Sequence, residues 1–285
     1  MTRFKQYTTL DPQFVAEKLQ EFFKEDNIQK DITTMSTQKS NKDIQAILIA
    51  KEPLVFAGME IIRQGFSDCM IDDLVKDGTF LNSDDTIAMI QGNVSSILKK
   101  ERVILNLIQR LSGIATTVHQ LSQITDQYNI ELLDTRKTTP GLRVFEKFAV
   151  TVGGGVNHRF SLQDAIMIKD NHLMGNPDIL ETISKAKQEN PHKDIQVEVD
   201  TLEQLDVVLQ SKATSVLLDN FKPSDLIQVI NKIRTHPNGS KLYIELSGGI
   251  TAKTLSKFCL DGVNGISMGA LTHNIQSKDI SLDIK

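Results

Sequence analysis

The sequence has little cysteine, no long apolar run and no surplus of positive charge. Cys69 and Cys259 are the two cysteines among 285 residues, and both lie in apolar segments predicted to be helical. This favours buried free thiols over disulfides or a zinc site. No stretch approaches the roughly 20 apolar residues that span a bilayer, and residues 1–13 lack a secretory signal pattern. The net charge of -4 argues against nucleic acid as the main partner. We therefore expect a cytoplasmic protein that binds neither nucleic acid nor membrane.

What is present fits a globular chain with a sizeable core. Hydrophobic residues make up 40% and charged residues 24%, which is ordinary for a folded domain. The first part, up to residue 112, mixes helical and strand-like patterns and predicts an α+β domain. Helical patterns cover 12–25, 59–70 and 94–127, and strand-like patterns cover 43–58 and 84–92. We expect the last helical pattern to break near Ser112-Gly113.

The second part has a regular alternation of short apolar runs and helical segments. Six runs occur, at 131–133, 165–168, 195–197, 215–218, 242–244 and 265–268. This alternation predicts α/β architecture, with a parallel sheet covered by helices. Six strands instead of eight predict a barrel that is either incomplete or closed by strands that the sequence pattern does not show. The carboxyl ends of such strands meet on one face, where barrel active sites are built.

Glycine turns follow the last two of these strands. The sequences are Ser247-Gly248-Gly249 and Ser267-Met268-Gly269. Glycines let backbone N–H groups approach an anion, and barrels often hold a phosphate after their last two strands. Either pair alone could be a simple left-handed turn. Together they favour a phosphate site.

Basic residues follow the earlier strands. Arg136 and Lys137 come after the first strand, His158 and Arg159 after a glycine-rich loop, and Lys169 after the second strand. One such cluster could be a solvated basic turn. Several facing one mouth would repel each other unless an anionic ligand filled it, so we expect a substrate with several negative charges.

Acidic residues follow the middle strands. Glu198, Asp200 and Asp219 could coordinate Mg²⁺, bind ribose hydroxyls or stabilise a cationic carbon. The alternative, which we favour for Asp200, is that they only neutralise the basic residues. Arg102 lies on an apolar helix, where its position alone indicates a surface residue.

These residues, in this order, resemble the quinolinate phosphoribosyltransferase family (nicotinate-nucleotide pyrophosphorylase, carboxylating). The most specific segments are DTRKTTPGLR at 134–143 and GGGVNHRF at 153–160. The other matching segments are 101–106, 111–116, 168–172, 197–200, 218–220, 247–249 and 267–273. The resemblance runs from about residue 31 to residue 273. One departure is Lys30, which precedes Asp31 where the family usually has glycine.

The resemblance implies phosphoribosyl transfer from phosphoribosyl pyrophosphate to quinolinate with loss of carbon dioxide, giving nicotinate mononucleotide in de novo NAD biosynthesis. It implies Mg²⁺ and an N-terminal α/β sandwich (1–112), an open-faced α/β barrel (113–273) and a tail (274–285) packed on the N-terminal domain. It also implies a homodimer, or a higher multiple, in which Arg102 completes the neighbour's site.

The resemblance also implies roles for individual residues. Arg102, Arg136, His158, Arg159 and Lys169 would surround the quinolinate carboxylates. Lys137 and Lys169 would bind the pyrophosphate, and Glu198 and Asp219 would face the ribose and its Mg²⁺; these four are the implied catalytic residues. The 5-phosphate would be bound by Ser247, Gly248, Gly249, Ser267 and Gly269. Two alternatives stay open: a paralogous phosphoribosyltransferase for another base, such as the pyrophosphorylase-like proteins associated with molybdenum transport, and a catalytically idle barrel that senses phosphorylated metabolites.

Overall fold

The computed structural model describes residues 3–38, 42–173 and 178–285. Internal contacts divide them into two compact units. We call the first the parallel-sheet unit; it contains the residues up to Gln6, Gln120–Thr138 and Gly155–His273. The second, the antiparallel-sheet unit, contains Tyr7–His119, Thr139–Gly154 and Asn274–Lys285. The units therefore interleave along the sequence.

The antiparallel-sheet unit is built on a four-stranded sheet of order β12-β1-β5-β3. Its strands are β1 (Asp43–Ala50), β3 (Met70–Asp72), β5 (Thr86–Asn93) and β12 (Ile280–Ile284), and a separate pair joins β2 (Leu54–Val55) to β4 (Phe80–Leu81). Strand β12 pairs antiparallel with β1, from Ala46 opposite Ile284 to Ala50 opposite Ile280. The last residues of the chain thus form one edge of this sheet.

The helices of this unit follow the predicted patterns only in part, because the helix predicted for 59–70 ends at Gly65 and β3 begins at Met70. They are α1 (Pro12–Glu25), α2 (Ile32–Thr37), α3 (Met59–Gly65) and α5 (Arg143–Val152), with a 3-10 turn at Ile28–Lys30. Helix α1 begins where the Asp11 carboxylate accepts the Phe14 N–H, and it buries Val15, Leu19 and Phe23 on one face. Phe145 of α5 lies 5.4 Å from Phe14 between ring centroids. This aromatic packing holds α5 in the unit.

Helix α4 (Val94–Asp126) is continuous, so the predicted break at Ser112-Gly113 is wrong. A Cβ at Gly113 would lie 2.3 Å from the carbonyl oxygen of Gln276. Glycine at this position therefore lets the backbone at Gln276 pack directly against α4, and it does not end the helix. The neighbouring Ser112 hydroxyl accepts the Ala57 N–H at 3.1 Å. This hydrogen bond joins the segment that follows β2 to α4.

The parallel-sheet unit contains the six predicted strands, so the α/β prediction is confirmed. They are β6 (Glu131–Leu133), β7 (Ile166–Ile168), β8 (Ile195–Val199), β9 (Ser215–Asp219), β10 (Tyr243–Ser247) and β11 (Gly265–Ser267). Their order is β6-β11-β10-β9-β8-β7 and all their pairings are parallel. The helices of this unit are α6 (Asp170–Leu173), α7 (Ile179–Glu189), α8 (Leu202–Leu209), α9 (Pro223–Thr235) and α10 (Ala270–His273), with a 3-10 turn at Leu255–Lys257.

The parallel sheet is open, in agreement with an incomplete barrel. Within the described residues, β6 and β7 are its two edges and do not pair with each other. The free edge of β6 carries a single bridge from Leu133 to Val156. The Val156 N–H donates to the Leu132 carbonyl at 2.8 Å. This bridge brings the segment after Val156 beside the carboxyl end of β6.

The two cysteines are free, but the surroundings predicted for them are partly wrong. Cys259 is buried and Cys69 is only partly buried, and neither lies within a helix. Burial and the neighbouring Asp68 carboxylate raise the pKa of the Cys69 thiol to about 11, which keeps it protonated and unreactive at neutral pH. In the described ranges, no helix is both long enough and apolar enough to cross a membrane.

Candidate active site

Asp134, the first residue after β6, ties two strand-end segments together. Its carboxylate is fully buried and accepts the side-chain amide of Asn157 at 2.7 Å and the backbone N–H of His158 at 2.8 Å. The carboxylate therefore anchors the segment 157–159.

His158 is buried, with both ring nitrogens bonded to protein atoms. The residue is only 5% exposed to solvent. Its Nδ1 accepts the Arg159 N–H at 2.8 Å, and its Nε2 lies 3.2 Å from Oε2 of Glu245. Gln196 donates to the same Glu245 oxygen at 2.7 Å. The imidazole is therefore fixed from two sides.

Glu245 and Gln196 are buried supports that the sequence did not assign to the site. Glu245 is 1% exposed. Burial by itself would raise the pKa of this carboxyl, but His158 and the hydrogen bonds from His158, Gln196 and Ser267 together lower it. The carboxylate is therefore ionised. Strand alternation, which places Gln196 on the face of Glu198 and Glu245 on the face of Ser247, was the available signal.

Arg159 is buried, and the charge of Arg136 acts on its guanidinium. It is 7% exposed, and its Nη1 donates to the Ala165 carbonyl at 2.9 Å. Burial and the positive charge of Arg136 lower the pKa of Arg159, while Asp164 and Glu245 oppose the shift. Arg136 itself is exposed. Two like charges in one another's field form a site that an anion would stabilise.

Lys169 and Glu198 form an ion pair at the ends of β7 and β8. Asp200, two residues further along, is exposed, and burial together with the charges of Asp219 and Asp170 raises the pKa of its carboxyl. Of the acidic residues predicted at the middle strands, Asp219 therefore acts electrostatically on Asp200. Glu198 adjoins a cationic side chain, so this edge of the sheet can accommodate both an anion and a developing positive charge.

The turn after β10 requires glycine at residue 248. Gly248 has φ of 91° and Gly249 has φ of 61°. A Cβ on Gly248 would lie 2.3 Å from Oδ1 of Asn220. Asn220 donates its backbone N–H to the Ser247 carbonyl at 3.1 Å and its side-chain amide to Asp219 at 2.7 Å. The glycine turn and the end of β9 thus fit closely together.

The turn after β11 lies against the segment after β6. A Cβ on Gly269 would lie 2.8 Å from Cδ of Lys137. The Thr272 hydroxyl donates to the Lys137 carbonyl at 2.8 Å, and the Lys137 side chain is exposed. Ser267 is buried and donates to Glu245. The structure therefore brings a cation and a glycine turn together as the phosphate hypothesis requires.

Arg102 lies in the antiparallel-sheet unit, exposed on α4. It lines a cleft of about 510 Å³. The cleft is also lined by Phe22, Glu25, Asp26, Val103, Asn106, Leu107, Thr139, Pro140 and Leu142. Its exposure agrees with the surface position that its helix pattern indicates.

The carboxylates fit a cation only as part of a shared coordination sphere. Among the described residues, no group of three or more His, Cys, Asp or Glu side chains is arranged to hold a metal ion. Mg²⁺ is commonly bound by one or two carboxylates together with substrate phosphates and water. Glu198 and Asp219 can supply that smaller share.

Comparison with known proteins places the chain beside one family over nearly its whole length. The family model described as quinolinate phosphoribosyl transferase, N-terminal domain, matches residues 31–112, and the C-terminal domain model matches residues 114–283. A probable nicotinate-nucleotide pyrophosphorylase [carboxylating] of Bacillus subtilis is 43% identical over 273 residues, covering 93% of this chain and 92% of the relative. The nicotinate-nucleotide pyrophosphorylase [carboxylating] of Mycobacterium leprae is 35% identical over 260 residues, covering 89% and 91%. The structure of the nicotinate-nucleotide pyrophosphorylase from Francisella tularensis superposes with a TM-score of 0.92 at 35% identity, covering 99% of this chain and 100% of that chain.

Proposed function

The chain belongs to the quinolinate phosphoribosyltransferase family, and from this premise we propose how its residues carry out the reaction. The enzyme transfers the phosphoribosyl group of phosphoribosyl pyrophosphate to quinolinate, with loss of carbon dioxide. The products are nicotinate mononucleotide and pyrophosphate, which makes it an enzyme of de novo NAD biosynthesis. The observation that carries the assignment of residues is the group of basic side chains at the strand ends. Arg159 is buried and donates to the Ala165 carbonyl, Arg136 is exposed after β6, and Lys169 lies at the end of β7 beside Glu198.

We propose that the basic residues of the parallel-sheet unit bind the two carboxylates of quinolinate. Arg136 and Arg159 can each donate two parallel hydrogen bonds to a carboxylate. Lys169 contributes a further charge, which is paired with Glu198. His158, assigned to the same pocket from the sequence, has both ring nitrogens bonded, so it supports the pocket by holding Arg159.

Phosphoribosyl pyrophosphate would lie beside quinolinate at the same carboxyl ends of the parallel strands. The 5-phosphate suits the two glycine turns, at Ser247-Gly248-Gly249 and Ser267 to Gly269, because their backbone N–H groups can approach an anion. Lys137, beside Gly269, and Lys169 can meet the pyrophosphate. Glu198 and Asp219 face the ribose, and together with the substrate's phosphate oxygens they would hold Mg²⁺, which would neutralise charge on the leaving pyrophosphate.

The reaction has two steps with balanced electron flow. The lone pair of the pyridine nitrogen forms a bond to C1 of the ribose while the C1–O bond to pyrophosphate breaks. Positive charge develops on the ribose carbon, where Glu198 or Asp219 can stabilise it. The electron pair of the bond to the 2-carboxylate then passes into the pyridinium ring as carbon dioxide leaves, and a proton takes its place. Orientation of both substrates supplies much of the remaining rate advantage.

A turnover assay tests this assignment against its two rivals. Purified protein is incubated with quinolinate, phosphoribosyl pyrophosphate and Mg²⁺, and nicotinate mononucleotide and carbon dioxide are followed together. We expect equal amounts of both products. Product with another base only would favour the paralogous phosphoribosyltransferase. Tight binding of phosphoribosyl pyrophosphate without product from any base would favour the sensor.

Gly248→Ala is expected to weaken phosphoribosyl pyrophosphate binding more than Gly249→Ala. A methyl group at 248 would collide with Asn220, whereas at 249 it meets open space among the described residues. Both positions have positive φ, so both variants carry strain of about 1–2 kcal/mol, and the difference between them isolates the collision. We expect the KM for phosphoribosyl pyrophosphate to rise about tenfold for Gly248→Ala and clearly less for Gly249→Ala. Equal KM values for phosphoribosyl pyrophosphate in the two variants would show that this turn does not bind the phosphate.

We also propose a cytoplasmic homodimer in which Arg102 completes the site of the neighbouring subunit. Support comes from the exposure of Arg102 and from the family resemblance around it; the two free thiols suit a reducing compartment. The test combines Arg102→Ala with Glu198→Gln in differently tagged subunits of one preparation. Each variant alone should be nearly inactive. Random mixing should restore about one quarter of wild-type activity, because mixed dimers then contain one intact site. No recovery on mixing would place Arg102 outside the partner's site.

A further inference from the structure

Residues 3–6 form a short segment that belongs to the parallel-sheet unit, although Tyr7 and the residues after it belong to the other unit. Arg3 attaches this segment to the amino-terminal ends of three strands. Its Nη2 donates to the Ser215 hydroxyl at 2.8 Å, and its guanidinium lies 4.5 Å from the centroid of the Tyr243 ring. Its Nε lies 4.0 Å from Asp194, just before β8. Ser215 and Tyr243 are the first residues of β9 and β10.

The next residues of the segment contact 157 and 158. The Phe4 ring packs against the His158 imidazole, with ring centroids 4.8 Å apart. The Gln6 side chain forms two hydrogen bonds with the backbone of Asn157, accepting its N–H at 2.7 Å and donating to its carbonyl at 3.2 Å. It also donates to the Phe4 carbonyl at 2.9 Å. The Gln6 side-chain amide therefore pairs with both backbone groups of Asn157, as a residue of an adjacent β-strand would.

These contacts matter because residues 157–159 lie outside helices and strands. Their conformation depends on side-chain partners. These include Asp134 and Glu245 from the strand ends, and Phe4 and Gln6 from the segment 3–6. His158 in turn accepts the N–H of Arg159. A shift of this segment would move the Arg159 guanidinium, and binding groups displaced by about 1 Å lose much of their effect.

We propose that Phe4 and Gln6 are positioning residues for quinolinate binding, acting through residues 157–159 on Arg159. The proposal rests on the proposed role of Arg159 in binding a quinolinate carboxylate. It predicts that changes at Phe4 or Gln6 affect one substrate and spare the other, because the glycine turns at Gly248 and Gly269 have other partners, Asn220 and Lys137. A residue needed only for stability would affect both substrates alike.

The experiment compares full-length Phe4→Ala and Gln6→Ala with the wild-type enzyme. We expect the KM for quinolinate to rise about tenfold in each, with the KM for phosphoribosyl pyrophosphate within about twofold of wild type. The milder variants Phe4→Tyr, which keeps the ring, and Gln6→Glu, which keeps the acceptor for the Asn157 N–H, should restore most of the quinolinate affinity. Gln13→Ala is the matched control, since the exposed Gln13 side chain donates to Glu17 within its own helix.

The outcomes separate this proposal from the function on which it rests. A wild-type enzyme that forms no nicotinate mononucleotide would refute the proposed function before any variant is compared. An active wild type with an unchanged quinolinate KM in both alanine variants would overturn the positioning role. Equal rises in both KM values, or a loss of Tm that tracks the loss of activity, would also overturn it. Should the alanine variants fail to fold, the same KM comparison is made on Phe4→Leu and Gln6→Met, which remove the ring contact and the amide hydrogen bonds with less loss of volume.

Discussion

Arg136→Ala is expected to raise the KM for quinolinate roughly 10- to 100-fold. Arg136 is exposed just after β6, and its charge acts on the nearly buried Arg159. A dianionic substrate would neutralise both guanidinium groups, so removing one deletes a charge-assisted hydrogen bond to a carboxylate. Such bonds contribute about 1.5–3 kcal/mol, and each 1.4 kcal/mol is about a factor of ten in affinity. Steady-state kinetics with each substrate varied in turn measures the effect.

Two further variants make this prediction specific. Arg136→Lys keeps the charge but loses the planar pair of donors, so its quinolinate KM should lie between the wild type and Arg136→Ala. Arg63→Ala removes an exposed arginine of α3 that pairs with Glu60 at 3.9 Å and should leave both KM values unchanged. If Arg136→Ala binds quinolinate with wild-type affinity, the assignment of the carboxylate pocket is wrong.

Local sequence patterns were sufficient to predict most elements of the fold. The six strands and helix α1 are defined by apolar spacing and turn residues within a few positions, and both predictions are confirmed. The break at Ser112-Gly113 was wrong because the role of Gly113 is decided by Gln276, far along the sequence. The contacts of residues 3–6 were missed for the same reason, since no local pattern relates Gln6 to Asn157.

The charged groups of the site could be predicted from the sequence, but the buried residues that hold them in place, such as Glu245 and Gln196, could not. Arg136, Lys169 and Glu198 follow strands, and parallel strands bring their carboxyl ends together. Whether each charge is exposed or buried depends on packing in three dimensions. Thus His158 was assigned to the ligand, although its ring nitrogens are bonded to Arg159 and Glu245. The substrate contacts of all these residues stay predictions, and kinetics on variants decides them.

Glu198→Gln is expected to lower kcat about 100- to 1000-fold, the range seen when one group that stabilises transition-state charge is removed. The substitution keeps the size of the side chain and removes its charge. It also removes the ion pair between Glu198 and Lys169, so the KM for quinolinate should stay the same or fall. This pattern is opposite to that of Arg136→Ala, where KM rises. The two variants together separate binding of the base from stabilisation of the ribose carbon.

Asp200→Asn is the matched control for Glu198→Gln, because it removes a carboxylate two residues along the same chain segment. Asp200 is an exposed residue. Partial desolvation of its carboxyl and the charges of Asp219 and Asp170 raise its pKa. Neutralising it relieves repulsion among these carboxylates, so kcat should stay within about threefold of wild type. A kcat for Glu198→Gln within about tenfold of wild type would mean that Glu198 does not stabilise the transition state. In that event Asp219→Asn should show the large loss, because Asp219 is the other carboxylate proposed to face the ribose.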